Sequence, residues 1–328
     1  MSQILLQKAR SMFTAENAQR AWDVIRREAV GLAQDFWKDG DWKDHELSDQ
    51  AAQEEAAPQQ PYKRDDSPAE VIKTEEGLWH ALPGEISERM WGRGFVTPCD
   101  ERFTEMMCLP MGLTKNMSML DLSAGLGERM RQVTHEFGIY ITGREPDPEI
   151  AARGMEMSQA VGLGKRDEIT AYDPMNLLEP RLYDCVIARE TIYRVGDKEK
   201  FIKSIVDSCK SRAQVSFTDY IVNPEAAKQP AIALWRAFEQ GADPIGLIKM
   251  AEIWAKAGMS LRVHDDQTEY YKREVKQGLV RFAEFMATGV QPDGPTKKAI
   301  QKRIATWGHR LAALDAGMKV YRFYGTRS

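Results

Sequence analysis

The chain has 328 residues, of which 43% are hydrophobic and 29% are charged, and its formal net charge is -4. This length suits one large domain with an accessory region, and the hydrophobic content is ordinary for a packed globular protein. No run of about eighteen apolar residues could cross a bilayer, and residues 1–13 lack the apolar centre of a signal peptide. A cytoplasmic location is therefore expected.

Charge is distributed unevenly along the chain. Residues 1–70 carry nine Lys or Arg against fourteen Asp or Glu, whereas residues 270–328 carry twelve against four. Basic residues near the C-terminus recur at helical spacing, namely Lys297, Lys298, Lys302, Arg303 and Arg310. The pattern is typical of a solvated helix face, and alternatively of a patch that attracts a phosphorylated substrate or an anionic lipid surface. Nucleic acid is not an expected partner, because the chain is acidic overall and has no basic motif interleaved with aromatic residues.

Cysteine spacing argues against a disulfide framework and against a metal site. The four cysteines are scattered, at Cys99, Cys108, Cys185 and Cys209. They form no Cys-x-x-Cys pair, and no histidine lies at metal-ligand spacing from them. Reduced, mostly buried thiols are expected, and no metal is predicted.

The N-terminal part of the chain is predicted to differ from the rest. Residues 1–47 have apolar side chains at steps of three and four, which indicates an amphipathic helical extension. Residues 48–70 are polar and punctuated by proline, which is typical of a linker. Residues 71–328 then form the main domain, with residues 71–115 as its cap. The apolar stripe leaves open whether the extension caps the domain, forms a homodimer or binds another protein.

The segment SMLDLSAGLGE at residues 118–128 predicts a ligand-binding loop. A short apolar strand ends in Asp121, and a loop of small residues leads into a helix whose first N–H groups are free. The loop lacks the Lys-Ser/Thr of a phosphate-gripping P-loop, and Ser123 stands where a dinucleotide fingerprint has its first glycine. With glycine at Gly125 and Gly127, the remaining interpretations are a nucleotide-type cradle and a plain strand-helix junction.

The following segments alternate between strand and helix patterns. Further strands are predicted at residues 139–143, 168–172, 183–190 and 213–220. A helical stretch at residues 198–209 carries its apolar side chains on one face. This alternation predicts a parallel, doubly wound α/β sheet. Glu145 follows the second strand at the edge where such sheets bind ligands, so its carboxylate could accept hydrogen bonds from ribose hydroxyls.

The Asp-x-Ser-x-Gly-x-Gly loop resembles the first motif of class I S-adenosylmethionine (SAM)-dependent methyltransferases. The segment Glu88-Arg-Met-Trp-Gly-Arg-Gly-Phe-Val-Thr97 resembles the one that closes over SAM in phosphoethanolamine N-methyltransferases and related small-molecule methyltransferases. Further matches occur at Ala188–Ile192 and Phe217–Tyr220, and the resemblance covers roughly residues 75–328. It implies a Rossmann-like sheet of seven mainly parallel strands with the last strand antiparallel. The C-terminal elements would then be a helix at 244–258 and strands at 261–263 and 318–324.

The resemblance also implies SAM as the cofactor, with S-adenosylhomocysteine as its product. The residues it assigns to cofactor binding are Val96, Thr97, Asp121, Ser123, Gly125, Gly127, Glu145, Asp173, Met175 and Arg189. Val96 and Thr97 would belong to the lid, and Glu145 would bind the ribose. Asp173 would accept the exocyclic amine of adenine, while Met175 would cover the ring.

On the acceptor side, the resemblance places Glu190 near a substrate amine and Tyr220 near a substrate phosphate. The family's catalytic tyrosine and histidine fall on Trp79 and Arg194, neither of which can act as a neutral general base. The catalytic candidates are therefore Glu190, Arg194 and Tyr220. Arg194 could orient an anionic acceptor or form a surface salt bridge, and His80 is expected to be structural.

The sequence thus predicts a SAM-dependent methyltransferase of class EC 2.1.1. Its acceptor would be a small metabolite or a lipid headgroup that bears an amine or an anionic group. The alternative is a methyltransferase-fold protein without turnover that acts as an assembly partner through its N-terminal helices. Glu145, Asp173 and Arg189 favour the enzyme, whereas the lost Tyr/His pair and Ser123 favour the alternative.

Overall fold

A computed structural model describes residues 79–98, 101–288 and 292–327. The predicted helical extension at 1–47 and the predicted linker at 48–70 lie outside these described residues. The predicted cap at 71–115 is described from residue 79, apart from residues 99 and 100.

Helices and strands alternate through most of the described chain. The helices are α1 (Glu85–Trp91), α2 (Glu101–Cys108), α3 (Glu128–Phe137), α4 (Pro148–Ala160), α5 (Lys198–Asp207), α6 (Pro230–Phe238), α7 (Leu247–Lys256), α8 (Thr268–Thr288) and α9 (Gly294–Asp315). The strands are β1 (Ser118–Asp121), β2 (Tyr140–Glu145), β3 (Asp167–Ala171), β4 (Tyr183–Arg189), β5 (Cys209–Ile221), β6 (Met259–Asp266) and β7 (Lys319–Arg327).

The seven strands form one sheet in the order β3-β2-β1-β4-β5-β7-β6. The first five strands pair in parallel, and β7 is antiparallel to both of its neighbours, β5 and β6. The predicted doubly wound sheet with an antiparallel last strand is confirmed. Strand order reverses between β1 and β4, and ligands of open α/β sheets bind at such a switch point, beyond the carboxyl ends of the strands.

Side chains of alternate strand residues enter two separate cores. Leu120 and Val186 belong to the core that also contains the predicted apolar face of α5. Met119 and Ile187, one residue along each strand, belong to the core with α2 and α3. Because successive strand residues point to opposite faces, these two cores place helices on both sides of the sheet.

Two compact units divide the chain. One comprises Trp79–Gly278 and Pro292–Ser328, and it contains every strand of the sheet. The other comprises Met1–Leu78 and Leu279–Gln291, of which the structure describes residues 279–288, the C-terminal part of α8.

Several predicted boundaries differ from those observed. Strand β5 begins at Cys209, earlier than the predicted 213, and β6 covers 259–266 where only 261–263 was predicted. Strand β6 pairs with β7 from Met259 to Asp266, whereas Cys209 at the start of β5 pairs with Tyr183 of β4. These pairings extend both strands beyond their most apolar residues. Asp266 ends β6 and its Oδ1 accepts a hydrogen bond from the Thr268 backbone N–H at 2.9 Å, which caps the following helix.

The cysteine and membrane predictions can be compared with the described residues. Cys108, Cys185 and Cys209 are buried and form no disulfide with one another, and burial raises the pKa of the Cys185 and Cys209 thiols to about 12. Cys99 lies outside the described residues. The described ranges contain no cluster of His, Cys, Asp and Glu that could hold a metal ion. Within the same ranges, no helix is both long and apolar enough to span a membrane.

Candidate active site

The loop between β1 and α3 is folded around the Asp121 carboxylate. Its Oδ1 accepts hydrogen bonds from the backbone N–H and the hydroxyl of Ser123, both at 2.8 Å. Gly125 and Gly127 have φ values of 56° and 86°, in the left-handed region that favours glycine. A Cβ at Gly125 would lie 2.6 Å from Val96 Cγ2. The loop therefore needs glycine at 125 both for its backbone conformation and for the close approach of Val96.

An ion pair joins this loop to the end of β4. Arg189 Nη2 lies 2.9 Å from Asp121 Oδ2 and donates to the Ser123 carbonyl oxygen at 3.1 Å. The backbone N–H of Arg189 also donates to Ser123 Oγ at 3.0 Å. Asp121 and Arg189 are both buried, so their charges are compensated within the protein. Three of the predicted cofactor residues thus form one connected unit.

Glu145 at the end of β2 completes the cradle. Its Oε2 accepts a hydrogen bond from the Gly125 backbone N–H at 2.9 Å, and its Oε1 accepts one from the Asp147 backbone N–H at 3.1 Å. Burial raises the pKa of Glu145 to about 7, and these two hydrogen bonds only partly offset that effect. A carboxylate fixed in this way keeps lone pairs on both oxygens for ribose hydroxyls.

The predicted adenine residues lie at an exposed turn after β3. Asp173 Oδ1 accepts a hydrogen bond from the Met175 backbone N–H at 2.9 Å, and its Oδ2 accepts one from Asn176 Nδ2 at 2.6 Å. These bonds hold the pKa of Asp173 below its usual range. The Met175 side chain is also exposed. The structure therefore shows both residues shaping the turn, and their contact with adenine stays a prediction.

The lid segment is held against the loop by an arginine that the sequence analysis missed. Arg129 Nη2, in the first turn of α3, donates to the Thr97 carbonyl oxygen at 3.2 Å and to Thr97 Oγ1 at 3.0 Å. Val96 packs on Gly125 in the same segment. The two predicted lid residues, Val96 and Thr97, therefore lie at the loop. Tyr172 is a second missed residue, and its hydroxyl donates to the Leu122 carbonyl oxygen at 3.0 Å.

Glu190, directly after β4, has the backbone and side-chain features of a functional residue. Its φ of 44° lies in the left-handed region, which is strained for a residue other than glycine. Glu190 Oε1 accepts a hydrogen bond from Thr218 Oγ1 at 3.2 Å, whereas the buried Oε2 has no hydrogen-bond partner among the described residues. Burial raises the pKa of Glu190 against the opposing effect of Arg129, Arg310 and Arg189. A buried carboxylate oxygen of this kind is available to a ligand.

Asp219 holds the segment that follows Glu190 in place. Its carboxylate accepts hydrogen bonds from the backbone N–H groups of Ile192 at 2.7 Å, Tyr193 at 3.1 Å and Tyr220 at 2.7 Å. Burial raises the pKa of Asp219 to about 7. The strained backbone at Glu190 is thus braced by a neighbouring strand, as strained functional segments require.

Tyr220 and Arg194 occupy different environments beside Glu190. Tyr220 is fully buried, and its hydroxyl lies 2.8 Å from the Tyr271 hydroxyl on α8. Arg194 is half-exposed and pairs with Glu239, with 2.7 Å between Arg194 Nη2 and Glu239 Oε1. The salt bridge that sequence reasoning considered for Arg194 is therefore formed, and a catalytic role for either residue stays a prediction.

Trp79 and Arg194, the positions that match the family's Tyr/His pair, contact different charged residues, Arg89 and Glu239. Trp79 packs under the Arg89 guanidinium, 4.9 Å from the ring centroid. The backbone N–H of His80 donates to Glu85 Oε2 at 3.0 Å, next to the start of α1.

Comparisons with known proteins support the fold of this chain. The solved structure of Haemonchus contortus phosphoethanolamine N-methyltransferase 2, in complex with phosphomonomethylethanolamine and S-adenosylhomocysteine, matches with a TM-score of 0.64 at 20% identity, over 74% of this chain and 56% of that one. A putative sarcosine dimethylglycine methyltransferase from Galdieria sulphuraria matches with a TM-score of 0.62 at 17% identity, over 74% and 96%. The chain has the class I SAM-dependent methyltransferase fold. No protein-family model matches it.

The chain is also similar in sequence to known methyltransferases. Phosphoethanolamine N-methyltransferase 1 of Arabidopsis thaliana is 23% identical over 196 residues, which are 59% of this chain and 39% of that protein. Norajmaline N-methyltransferase of Rauvolfia serpentina is 29% identical over 120 residues, 36% and 40% of the two chains. The predicted resemblance to small-molecule methyltransferases is confirmed. The match spans well under half the length of these relatives.

Proposed function

We propose that this chain is a SAM-dependent methyltransferase that methylates a small molecule bearing an amine. One observation carries the proposal: the cradle formed by Gly125 and Glu145 lies beside β4, whose end presents the unpartnered Glu190 Oε2. A loop suited to a nucleotide and a carboxylate suited to an amine would then lie near the switch point of the sheet. The relatives include N-methyltransferases of phosphoethanolamine and norajmaline, which supports the same reaction.

The cradle residues fit SAM in their chemistry. The left-handed loop at Gly125 and Gly127 brings backbone close to a ligand, and Glu145 offers a fixed carboxylate to two ribose hydroxyls. Asp121 and Ser123 would border the methionine part, and Val96 and Thr97 would cover it. SAM supplies a methyl group made electrophilic by a positively charged sulfur.

The acceptor amine must be held in line with that methyl group and must lose a proton. Glu190 Oε2 can accept a hydrogen bond from the amine and receive its proton. The nitrogen lone pair forms the new carbon-nitrogen bond, while the electron pair of the broken carbon-sulfur bond stays on sulfur. Burial raises the pKa of Glu190, which makes its carboxylate a stronger base than an exposed one. Trp79 and Arg194 cannot take this role, because neither is a neutral base.

The proposal is tested by cofactor binding followed by transfer. Calorimetric titration with SAM is expected to give a dissociation constant below about 1 mM. Incubation with isotope-labelled SAM and a panel of amines, read by mass spectrometry, is then expected to show label on one of them. Absence of SAM binding would contradict the proposal. The fold alone does not decide the reaction, since the [4+2]-cyclase SpnF also matches it, with a TM-score of 0.57.

Glu190→Gln gives a sharper test of the acceptor side. The amide keeps the size of the side chain but cannot take a proton, so turnover is expected to fall about a hundredfold. SAM affinity should stay within about twofold, because Glu190 belongs to the acceptor side. Steady-state kinetics and calorimetry on the same preparations measure the two effects. Unchanged turnover would exclude Glu190 as the base.

A further inference from the structure

A second carboxylate near the acceptor side, Glu239, is surrounded by hydrogen-bond donors. Its Oε2 accepts from Trp235 Nε1 and from Arg310 Nε, both at 2.8 Å. Its Oε1 accepts from Arg194 Nη2 at 2.7 Å, from the Tyr193 hydroxyl at 2.5 Å, and from Arg310 Nη2. The two oxygens thus receive five donors, which is more than the four lone-pair positions of a carboxylate.

The position of Glu239 on the chain does not by itself favour a negative charge. The residue follows α6 directly at its C-terminal end, where the helix dipole repels a carboxylate. Burial raises the pKa of Glu239, but Arg310, Arg194 and Tyr193 together outweigh burial and hold this pKa well below its usual range. Glu239 is therefore ionised at neutral pH, and its placement depends on the surrounding donors.

The donors around Glu239 form a typical recognition shell for an anion. Two guanidinium groups, a phenol hydroxyl and an indole N–H are groups that bind the oxygens of phosphate or carboxylate. Arg310 is buried, with 6% of its side chain exposed, and it is fixed by its position over the Trp307 ring, 4.5 Å from the centroid. This shell is filled by a carboxylate of the chain itself.

The donors around Glu239 lie next to Tyr220, which is one of the residues predicted to contact the acceptor. The Arg310 guanidinium lies 5.7 Å from the centroid of the Tyr220 ring, and the Tyr193 ring makes an edge contact with Tyr220 at 4.9 Å. Arg310 also acts electrostatically on Glu190, whose pKa it lowers against the effect of burial. The anion shell and Glu190, the proposed amine-binding carboxylate, are therefore linked through Arg310, which contacts Tyr220 and acts electrostatically on Glu190.

We propose that Glu239 is a specificity-determining residue whose carboxylate occupies the anion subsite of the acceptor pocket. An acceptor that carries a phosphate would have to displace a bound carboxylate, at the cost of its five hydrogen bonds. The enzyme therefore takes amines that lack a phosphate and rejects phosphorylated amines. This inference rests on the proposed function, since it names the acceptor class of the same site.

The test compares the wild-type chain with Glu239→Gln, both saturated with S-adenosylhomocysteine. Calorimetry measures binding of ethanolamine, phosphoethanolamine and inorganic phosphate at constant ionic strength. Glu239→Gln is expected to bind phosphoethanolamine and phosphate at least tenfold more tightly than wild type, because the two guanidinium groups hold a neutral amide less strongly than a carboxylate and an anion displaces it at lower cost. A gain for phosphoethanolamine without one for phosphate would place the amine, and not the anion, in the new contact and would overturn the proposal.

The matched control is Glu225→Gln. Glu225 is an exposed glutamate that pairs with Lys228 at the surface, with 2.7 Å between the charged atoms. Its variant loses the same formal charge but leaves the shell intact, so its anion binding should equal that of wild type. A tenfold gain in this control would assign the effect to overall charge and would overturn the proposal.

The wild-type chain provides a test that does not depend on the stability of the variant. Arg303, exposed on α9 and within electrostatic range of Arg194 and Arg310, adds positive charge to this region. If wild type bound phosphoethanolamine with a dissociation constant below about 1 mM, the subsite would be open and the inference wrong. Loss of S-adenosylhomocysteine binding in wild type would instead contradict the proposed function itself. If Glu239→Gln folds poorly, phosphate is expected to raise its melting temperature but not that of wild type.

Discussion

The charge of the proposed SAM cradle depends on whether Glu145 is ionised. Burial raises its pKa to about 7, and a ribose that donates two hydroxyl hydrogens prefers the ionised carboxylate. The ionised fraction falls as pH drops below 7, so SAM affinity is expected to weaken below that pH. The decrease should approach tenfold per pH unit. Calorimetric titrations with SAM at pH 6, 7 and 8 measure it.

Glu145→Gln separates this titration from others in the protein. The amide keeps one acceptor oxygen but has no proton to lose, so SAM should bind more weakly at every pH and without the slope below pH 7. Asp219 also has a pKa raised to about 7 and is kept in this variant. A slope that survives Glu145→Gln would therefore point to Asp219 and would contradict the assignment to Glu145.

The β1–α3 loop, at the scale of one element, depends on its fit to the lid segment. Gly125→Ala would place a methyl group in a left-handed backbone and 2.6 Å from Val96 Cγ2. The backbone alone costs about 1 kcal/mol of unfolding free energy, and the clash adds to that cost. A lower melting temperature and weaker SAM binding are expected, as measured by thermal denaturation and calorimetry.

Two further variants separate the two causes of the expected loss of stability in Gly125→Ala, which are the left-handed backbone and the clash with Val96. Gly112 has a similar φ of 54°, but a Cβ there meets nothing within 4 Å, so Gly112→Ala reports the backbone cost alone. Val96→Ala removes the clashing methyl groups, so the double variant should recover the steric part. If Gly112→Ala and Gly125→Ala lowered stability equally, the close approach of Val96 would have no energetic role.

Strands and site differ in how far they could be predicted from the sequence. Buried strands such as β4 appear in the sequence as apolar runs. Asp121 and Glu145 are acidic residues at the ends of such strands, so they can be identified from local sequence. The Glu239–Arg310 and Tyr220–Tyr271 contacts join residues 71 and 51 positions apart. Such contacts follow from the packing of distant segments, and no local spacing indicates them. Sequence reasoning therefore named the residues of the proposed cradle, and Arg194 and Tyr220 on the proposed acceptor side, but it did not predict the contacts that Glu239, Arg310 and Tyr271 make with them.

Buried carboxyl groups determine how stability of the whole molecule depends on pH. Burial raises the pKa of Asp167 to about 6, and those of Glu145 and Asp219 to about 7. In the unfolded chain these groups lose their protons near pH 4. Between about pH 5 and 7 the folded state therefore holds more protons than the unfolded state, and the free energy of unfolding falls as pH rises.

Other groups act against this trend or outside its range. Burial lowers the pKa of His309, and this increases the free energy of unfolding as pH rises towards 6.5. This single group opposes three carboxyl groups, Asp167, Glu145 and Asp219. The ionised Glu239 contributes stability that is lost only as pH falls below its ordinary pKa of 4.5. Maximal stability is therefore expected near pH 5, with a decline towards pH 7 and little change above about 8.

Denaturant unfolding at pH 5, 6, 7 and 8 measures this profile, and Asp167→Asn tests its origin. Asp167 is fully buried, and Thr134 Oγ1 donates a hydrogen bond to its Oδ1. The amide mimics the protonated carboxyl, so in the variant the free energy of unfolding should fall less between pH 5 and 6 than in wild type. The fall up to pH 7 that Glu145 and Asp219 cause should remain. A wild-type stability that rises steadily from pH 5 to 7 would show that these carboxyls are ionised in the folded protein. Their raised pKa values, and with them the expected pH dependence of SAM binding, would then be wrong.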